Sequence, residues 1–284
     1  MNRRESIMRK ILCLVLLMFV KAVVWAQPEM PISEWQDKTI LLIGAHPDDD
    51  SRAHGTLAQL RENGNEVWIL LLTTGNVGTQ DPDISRFELS QIRRQEQLDA
   101  LAVLGIPAEH YINLGYDDGL LEFADRKEVV GRLVRQIRRI RPDALFAFDP
   151  GRGFQRWHKA DHRAAAYLAA DAARAAMWRL LFEGQVIHEG LEAFQIPEYF
   201  FFDSRIEDMN TFVDVTEQVH QKVEAALKYA SQFSSGWSKY IGPIIPEEER
   251  AELKKRRLEG IMRKDGRYVE GFRHYKGLPD SIGK

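Results

Sequence analysis

Cysteine is nearly absent from this chain. Cys13 is the only one in 284 residues, and it lies in the apolar stretch near the N-terminus. Beyond that stretch no disulfide, thiolate nucleophile or cysteine-based metal site is possible, so any metal must be held by His, Asp and Glu. An excess of positive charge is also missing. The chain's net charge is −3, and residues 1–26 carry five basic side chains and one acidic one; taking away their +4 leaves −7 for the rest. That balance argues against a nucleic-acid partner, which needs a positive face. A long apolar run is lacking too. "ILCLVLLMFV" is short of the roughly 20 residues of a membrane span, and Lys21 follows it.

What stands at the N-terminus is a basic stretch, "MNRRESIMRK", then that apolar run, then "KAVVWA" before Gln27. This is the tripartite order of a secretory signal peptide, with cleavage after Ala26. A secreted or periplasmic protein without a stable membrane span is expected; an uncleaved anchor is the alternative. No small-residue processing pattern follows Cys13, which argues against a lipoprotein. The remaining chain, 44% hydrophobic and 29% charged over the full length, reads as ordinary globular protein. It is long enough for one large α/β domain.

Short apolar runs at 38–45, 66–75, 109–116, 143–150 and 198–204 fit strands buried on both faces. Helical patterns separate them. Leu89, Ile92, Leu98, Leu101 and Leu104 recur at helical spacing before Gly105, and Val130, Leu133, Val134, Ile137 and Ile140 form a stripe closed by Pro142. An alanine-rich helix is expected over 161–184. A strand and then a helix from near Thr216 are expected over 211–233. Residues 236–284 read as a charge-rich extension or cap, most simply a solvated helix. The alternation predicts right-handed βαβ units and a Rossmann-like three-layer α/β/α fold with a mostly parallel sheet. Ligands of such sheets bind beyond the carboxyl ends of the strands. "AHPDDD", "LGYDDG" and "DPGRGFQRWHKADH" all fall there.

"GAHPDDDSRAHGTLAQL" (44–60) crowds three like charges into one turn, which a bound cation would explain. His46 and Asp49 can reach one metal from a tight loop stiffened by Pro47. Asp48 should point elsewhere, free to meet a metal-bound water. Asp50 is expected to cap the following helix. In "WHKADHRAAA", His158, Asp161 and His162 suggest a third ligand and its orienting carboxylate. His158 and His162 share a helical face, so either could ligate. Two histidines and a carboxylate suit catalytic zinc. They also suit ferrous oxygenases, which are expected on an all-β barrel instead.

"AHPDDD…GTLAQL", "IRRQEQLDALAVLG", "GYDDGLL", "RPDALFAFDP" and "HKADHRAAA" together resemble the LmbE-like or PIG-L family of zinc-dependent N-deacetylases. The resemblance runs from about 38 to about 235, and implies a single domain over 27–284 with one zinc ion. It implies His46, Asp49 and His162 as ligands, Asp48 as general base, and Asp161 as the carboxylate beside the last ligand. It further implies Arg93 and Asp118 as substrate contacts. The implied substrate is an N-acetylglucosamine unit on a sugar, glycolipid or oligosaccharide. The implied chemistry is attack by a zinc-acidified water on a polarised amide, with Asp48 moving the proton. Two positions depart from the family pattern. Asp50 stands where Glu is common, and Lys159 stands where a histidine does, with His158 one place earlier. Of these two, His158 is the expected support of the oxyanion, because a lysine at a helix start is long, hydrated and turned to solvent. Trp157 is a candidate to stack on a sugar. The sequence leaves open an inactive glycan-binding protein, or another metal-dependent amidase or esterase on the same site. If the N-terminal pattern is a cleaved signal, N-terminal sequencing of the product recovered outside the cytoplasm begins at Gln27. A cytosolic product that still begins at Met1 contradicts it.

Overall fold

The computed structural model describes residues 30–152 and 159–278. The N-terminal signal-like segment, Trp157 and His158 therefore lie outside the described residues. Five parallel strands form the first part of the sheet: β1 (Thr39–Gly44), β2 (Glu66–Thr73), β3 (Tyr111–Tyr116), β4 (Ala144–Phe148) and β5 (Glu198–Phe202). They are the five apolar runs of the sequence. Three further strands make up the sheet edge, β6 (Thr211–Asp214), the two-residue β7 (Arg263–Lys264) and the long β8 (Arg267–Lys276), all joined by antiparallel pairing around β8. The strand order is β3-β2-β1-β4-β5-β8-β6, with β7 on β8.

Every residue of β4, and all of β1 but Thr39, is buried. Strands buried throughout have both faces covered. The cover comes from helices that follow the strands: α1 (His54–Glu62), α2 (Arg86–Val103), α3 (Arg126–Ile140) and α4 (Ala160–Ala176). Shorter helices follow: α5 (Glu183–Glu189), α6 (Val219–Ala226), α7 (Ala230–Phe233) and α8 (Glu247–Glu259). α3 and α4 pack on each other, and α4 packs on β1 and β4, while α1 and α2 pack with α6. The α/β architecture with a mostly parallel sheet is the one expected.

Local chemistry sets the helix ends. Ser85 and Glu88 form a capping box at the start of α2. Asp125 accepts the Glu128 N–H at the start of α3, and Arg141, in a left-handed conformation, ends it before Pro142.

Three expectations need correction. The alanine-rich helix stops at Ala176, and residues 177–182 turn before α5. Arg138, 2% exposed, holds that turn: its guanidinium donates to the carbonyls of Ala176, Trp178, Leu181 and Phe182 and to Gln185 Oε1. The expected stripe of α2 is buried at Leu89, Leu101 and Leu104 but only half-buried at Ile92 and Leu98, because the buried Arg93, Glu96 and Gln97 take up the middle of that face. Finally, residues 267–276 are not a cap or solvated helix but strand β8, lodged between β5 and β6. Its inward Glu270 accepts the N–H groups of Gly55 and Thr56 at the start of α1, at 2.9 and 2.8 Å, and Lys222 Nζ at 2.7 Å. A carboxylate at a helix N-terminus is favourable. It ties the extension to the helix that carries the first polar loop.

Arg138→Ala strips the donor from four carbonyls of the turn, that of Ala176 buried and the others half-buried, and from the buried Gln185 amide oxygen. It is expected to lower unfolding free energy by roughly 3 kcal/mol, the scale of one or two unsatisfied buried acceptors with the lost packing. A urea midpoint within error of wild type contradicts this.

Candidate metal centre and pocket

The sheet changes direction between β1 and β4, and the chain leaves both strands on the same edge. This is the switch point where open α/β sheets form a crevice. From β1 the chain enters a tight turn at 45–52. Gly44 permits it: a Cβ there would meet Leu71 Cδ2 at 2.9 Å and Asp49 Cβ at 3.0 Å. Asp49, 4% exposed, folds back over the strand end, and its Oδ2 accepts the N–H groups of Ala45 and His46 at 2.7 and 2.8 Å. That leaves Oδ1 turned to His162 Nε2, 3.2 Å away. His162 comes from the first turn of α4, and its ring stacks on Phe148 at 4.3 Å, at the end of β4.

His46, 6% exposed, faces carboxylates on both sides. Nδ1 lies 3.7 Å from Asp49 Oδ2; Nε2 lies 3.0 Å from Asp118 Oδ1 and 3.1 Å from Asp161 Oδ2. His46, Asp49 and His162, all buried, each offer a ligand atom within 4.8 Å of the others. His46, Asp118 and Asp161 do the same. The donor chemistry separates the two sets. Both oxygens of Asp161 are already engaged, Oδ2 by the Gly119 N–H at 2.7 Å and Oδ1 by that of Leu121 at 3.1 Å. Asp49 keeps an oxygen facing a second imidazole. Two neutral imidazoles and one carboxylate fit a divalent ion with an open position. Asp161 then takes the orienting place, but on His46 rather than on its neighbour His162, and it fastens the 119–121 loop to α4.

Electrostatics follow from this crowding. Burial opposes a charge on His46, yet Asp118, Asp161 and Asp49 outweigh it and raise its pKa well above the ordinary value. Burial likewise opposes ionisation of Asp49, but His162 and His46 hold it well below the carboxylate range. Asp118 is also held low: burial works against it, and His46 and Arg93 win. Asp48 differs. Its φ of 110° turns its backbone away from Asp49, into a region aspartate tolerates better than most residues. Burial, with the charge of Asp49, pushes it up to about 7, against the opposing pull of His46, Lys159 and Arg93.

Asp48, His46, Asp118, Arg93 and Lys159 meet around a pocket of about 410 Å³. Arg93, 3% exposed, lines it while donating to the carbonyls of Gly75 and Gly78, the latter at 2.5 Å. Its guanidinium therefore shapes the 75–78 loop as well as facing Asp118 at 3.7 Å. Gly75, at φ 66°, lies so close that a Cβ would meet Arg93 and Pro47 at 3.0 Å. Lys159 is exposed and opens α4. Asp50 is not a helix cap: it is fully buried and accepts from His54 Nε2, Gln97 Nε2 and the Tyr229 hydroxyl. Gln97 also accepts the Asp48 N–H at 3.1 Å, so it locks both aspartates.

Sequence reasoning missed the far wall. Gln232, Phe233 and Trp237 line the pocket, and Gln232 Nε2 donates to the Pro47 carbonyl at 2.9 Å. The one signal was an aromatic pair set in the Ser/Gly-rich stretch "SQFSSGWS".

Residues 41–173 match the model of the PIG-L family, described as GlcNAc-PI de-N-acetylase. The chain is 29% identical to a diacetylchitobiose deacetylase of Thermococcus kodakarensis, over 85% of this chain and 84% of that protein. It is 27% identical to a 1D-myo-inositol 2-acetamido-2-deoxy-alpha-D-glucopyranoside deacetylase of Kineococcus radiotolerans, over 69% of each. Among solved structures, N,N'-diacetylchitobiose deacetylase from Pyrococcus horikoshii superposes with a TM-score of 0.73 at 26% identity, covering 98% of this chain and 95% of that one. Residues 41–173 thus match a PIG-L (LmbE-like) domain, and the chain is homologous to these deacetylases.

The Asp48 environment has a measurable consequence. In the metal-free protein the native state keeps a proton on Asp48 between about 4 and about 7, where the unfolded chain has released it. The corresponding stability is complete below about pH 4 and is lost as pH rises through about 7. Asp48→Asn should therefore raise the thermal midpoint of the metal-free protein over wild type at pH 8 and leave it nearly unchanged at pH 4. Equal shifts at both pH values contradict the account.

Proposed function

We propose that the protein is a zinc-dependent hydrolase that removes the N-acetyl group from an N-acetylglucosamine-type sugar or glycoconjugate. One observation carries the reading: Asp48 faces the pocket directly beside the buried His46–Asp49–His162 set. The family match and the names of the relatives support the substrate class. An extracytoplasmic location is proposed from the N-terminal sequence pattern alone.

His46, Asp49 and His162 would hold a divalent ion, which would supply Lewis acidity to the amide carbonyl and acidify the attacking water. Asp48 accepts the water's proton as the oxygen adds to the acetyl carbon. It returns that proton to the nitrogen as the carbon–nitrogen bond breaks, so acetate and a free amino sugar leave. A carboxylate held near neutral pH suits both halves of that task. Asp118 and Asp161 keep the His46 ring in place. Asp118 and Arg93, on the pocket wall, are assigned to the sugar, and Phe233 and Trp237 offer apolar faces for it. His158 is assigned the oxyanion on sequence grounds, with Lys159 adding positive charge at the pocket edge. An inactive glycan binder would have no use for Asp48 in this backbone conformation.

The test is acetate release by the zinc-loaded protein from N,N'-diacetylchitobiose and other N-acetylated sugars. Asp48→Asn should keep its metal and lose roughly 10²–10⁴ in rate, the span of a general acid–base. His46→Ala should lose the metal itself. No acetate from any of the sugars, or full activity in Asp48→Asn, defeats the proposal.

A further inference from the structure

A second cavity, of about 360 Å³, adjoins the catalytic pocket through one stacked pair. Phe233 lines the pocket, and the Arg257 guanidinium sits over its ring at 4.0 Å. Arg257, from α8, also lines the second cavity, together with Arg52, Arg256 and Lys222. Arg52 follows directly on the polar turn after β1, and the end of β5 forms another wall, so the cavity lies on the same sheet edge. The charge of Asp48 acts favourably on Arg257, and those of Arg52 and Arg256 act against it, which places all four within one electrostatic neighbourhood.

Four cations line this cavity against two carboxylates, Asp203 and Glu270, so the charges are not balanced. Lys222 and Glu270 neutralise each other at 2.7 Å, and Glu270 is further engaged by the start of α1. Arg256 has only the exposed Glu252, at 3.8 Å, a pair of little worth in water. Arg52 and Arg257 make no ion pair with any carboxylate among the described residues. Arg257 is only half exposed and its neighbours include two like charges. A partly desolvated guanidinium without a counter-ion is costly unless something fills that place. A solvated basic surface would spread its arginines outward rather than set one against an aromatic wall inside a cavity. Guanidinium groups bind phosphate and carboxylate through paired, charge-assisted hydrogen bonds.

We propose that this cavity is an anion subsite for a phosphate or carboxylate group, held by Arg52 and Arg257 with Arg256 at its rim. The adjoining pocket makes the anion part of the same molecule as the N-acetylated sugar; a free anion of the same chemistry would use the same residues. The inference rests on the deacetylase reading only for the placement of the sugar.

Calorimetric titration of the zinc-loaded protein tests it, using N-acetylglucosamine, N-acetylglucosamine 1-phosphate and inorganic phosphate on wild type and on R52Q/R257Q. The phosphorylated sugar should bind at least about tenfold tighter than the neutral one, the scale of one charge-assisted contact. The double variant should abolish that ratio. If it fails to fold, the exposed single substitution R52Q should reduce the ratio severalfold. Equal affinities for the two sugars, with phosphate binding that the variant removes, assign the site to a free anion and uphold it as an anion site. Equal affinities and no phosphate binding sensitive to the variant overturn it. Binding rather than turnover is read, so a failure to release acetate leaves this result intact.

Discussion

Negative charge concentrated around His46 is the constraint on which the rest of the structure depends. Asp49, Asp118 and Asp161 all reach its ring within 3.7 Å, inside a largely dry crevice. Such a group of carboxylates is unstable without positive charge to offset it. The metal-free protein supplies some through Arg93 and a protonated His46, and distributes backbone N–H donors over the rest. A divalent ion held by Asp49 and the two imidazoles would take the place of that proton. The turn that holds this set also presents Asp48 to the pocket, where burial and the charge of Asp49 raise its pKa.

The fold is organised to keep that arrangement rigid. Strand order reverses beside β1, so the loops after β1 and β4 face each other across the crevice. Gly44 lets Asp49 fold over the strand end. Gln97 holds Asp48 and Asp50 from α2, Asp161 ties the third loop to α4, and Glu270 reaches from β8 to the start of α1. Each of these residues acts on the site through another, so the catalytic turn is braced from four separate stretches of chain.

Much of this was legible in the sequence because it is local. Five apolar runs became five parallel strands, and the charge density of "AHPDDD" pointed to the turn where His46 and Asp49 meet His162. Candidate site residues that lie near each other, His46 with Asp49 and Asp161 with His162, could be paired from spacing. What was not legible depends on distant segments. Strand β8 has the composition of a solvated tail, since Arg267, Glu270 and Arg273 are explained only by partners far away in sequence. Glu270 needs the start of α1, and Arg273 Nη2 lies 3.3 Å from Asp149. Glu96 and Gln97, on the buried face of α2, carried no local signal for the same reason, although they recur at helical spacing with Leu89, Arg93 and Ala100. Asp50 looked like a cap because capping is the local use of aspartate, whereas its true partners include Tyr229. The aromatic wall from Phe233 to Trp237 gave no motif at all.

The ligand set is the central claim, and anomalous diffraction at the zinc edge from crystals of the zinc-loaded protein tests it most directly. The account predicts one strong peak at ~2.0–2.2 Å from ligand atoms of His46, Asp49 and His162, the distances of zinc to imidazole and carboxylate. A peak bound instead by His46, Asp118 and Asp161, or no peak in the crevice, would contradict it.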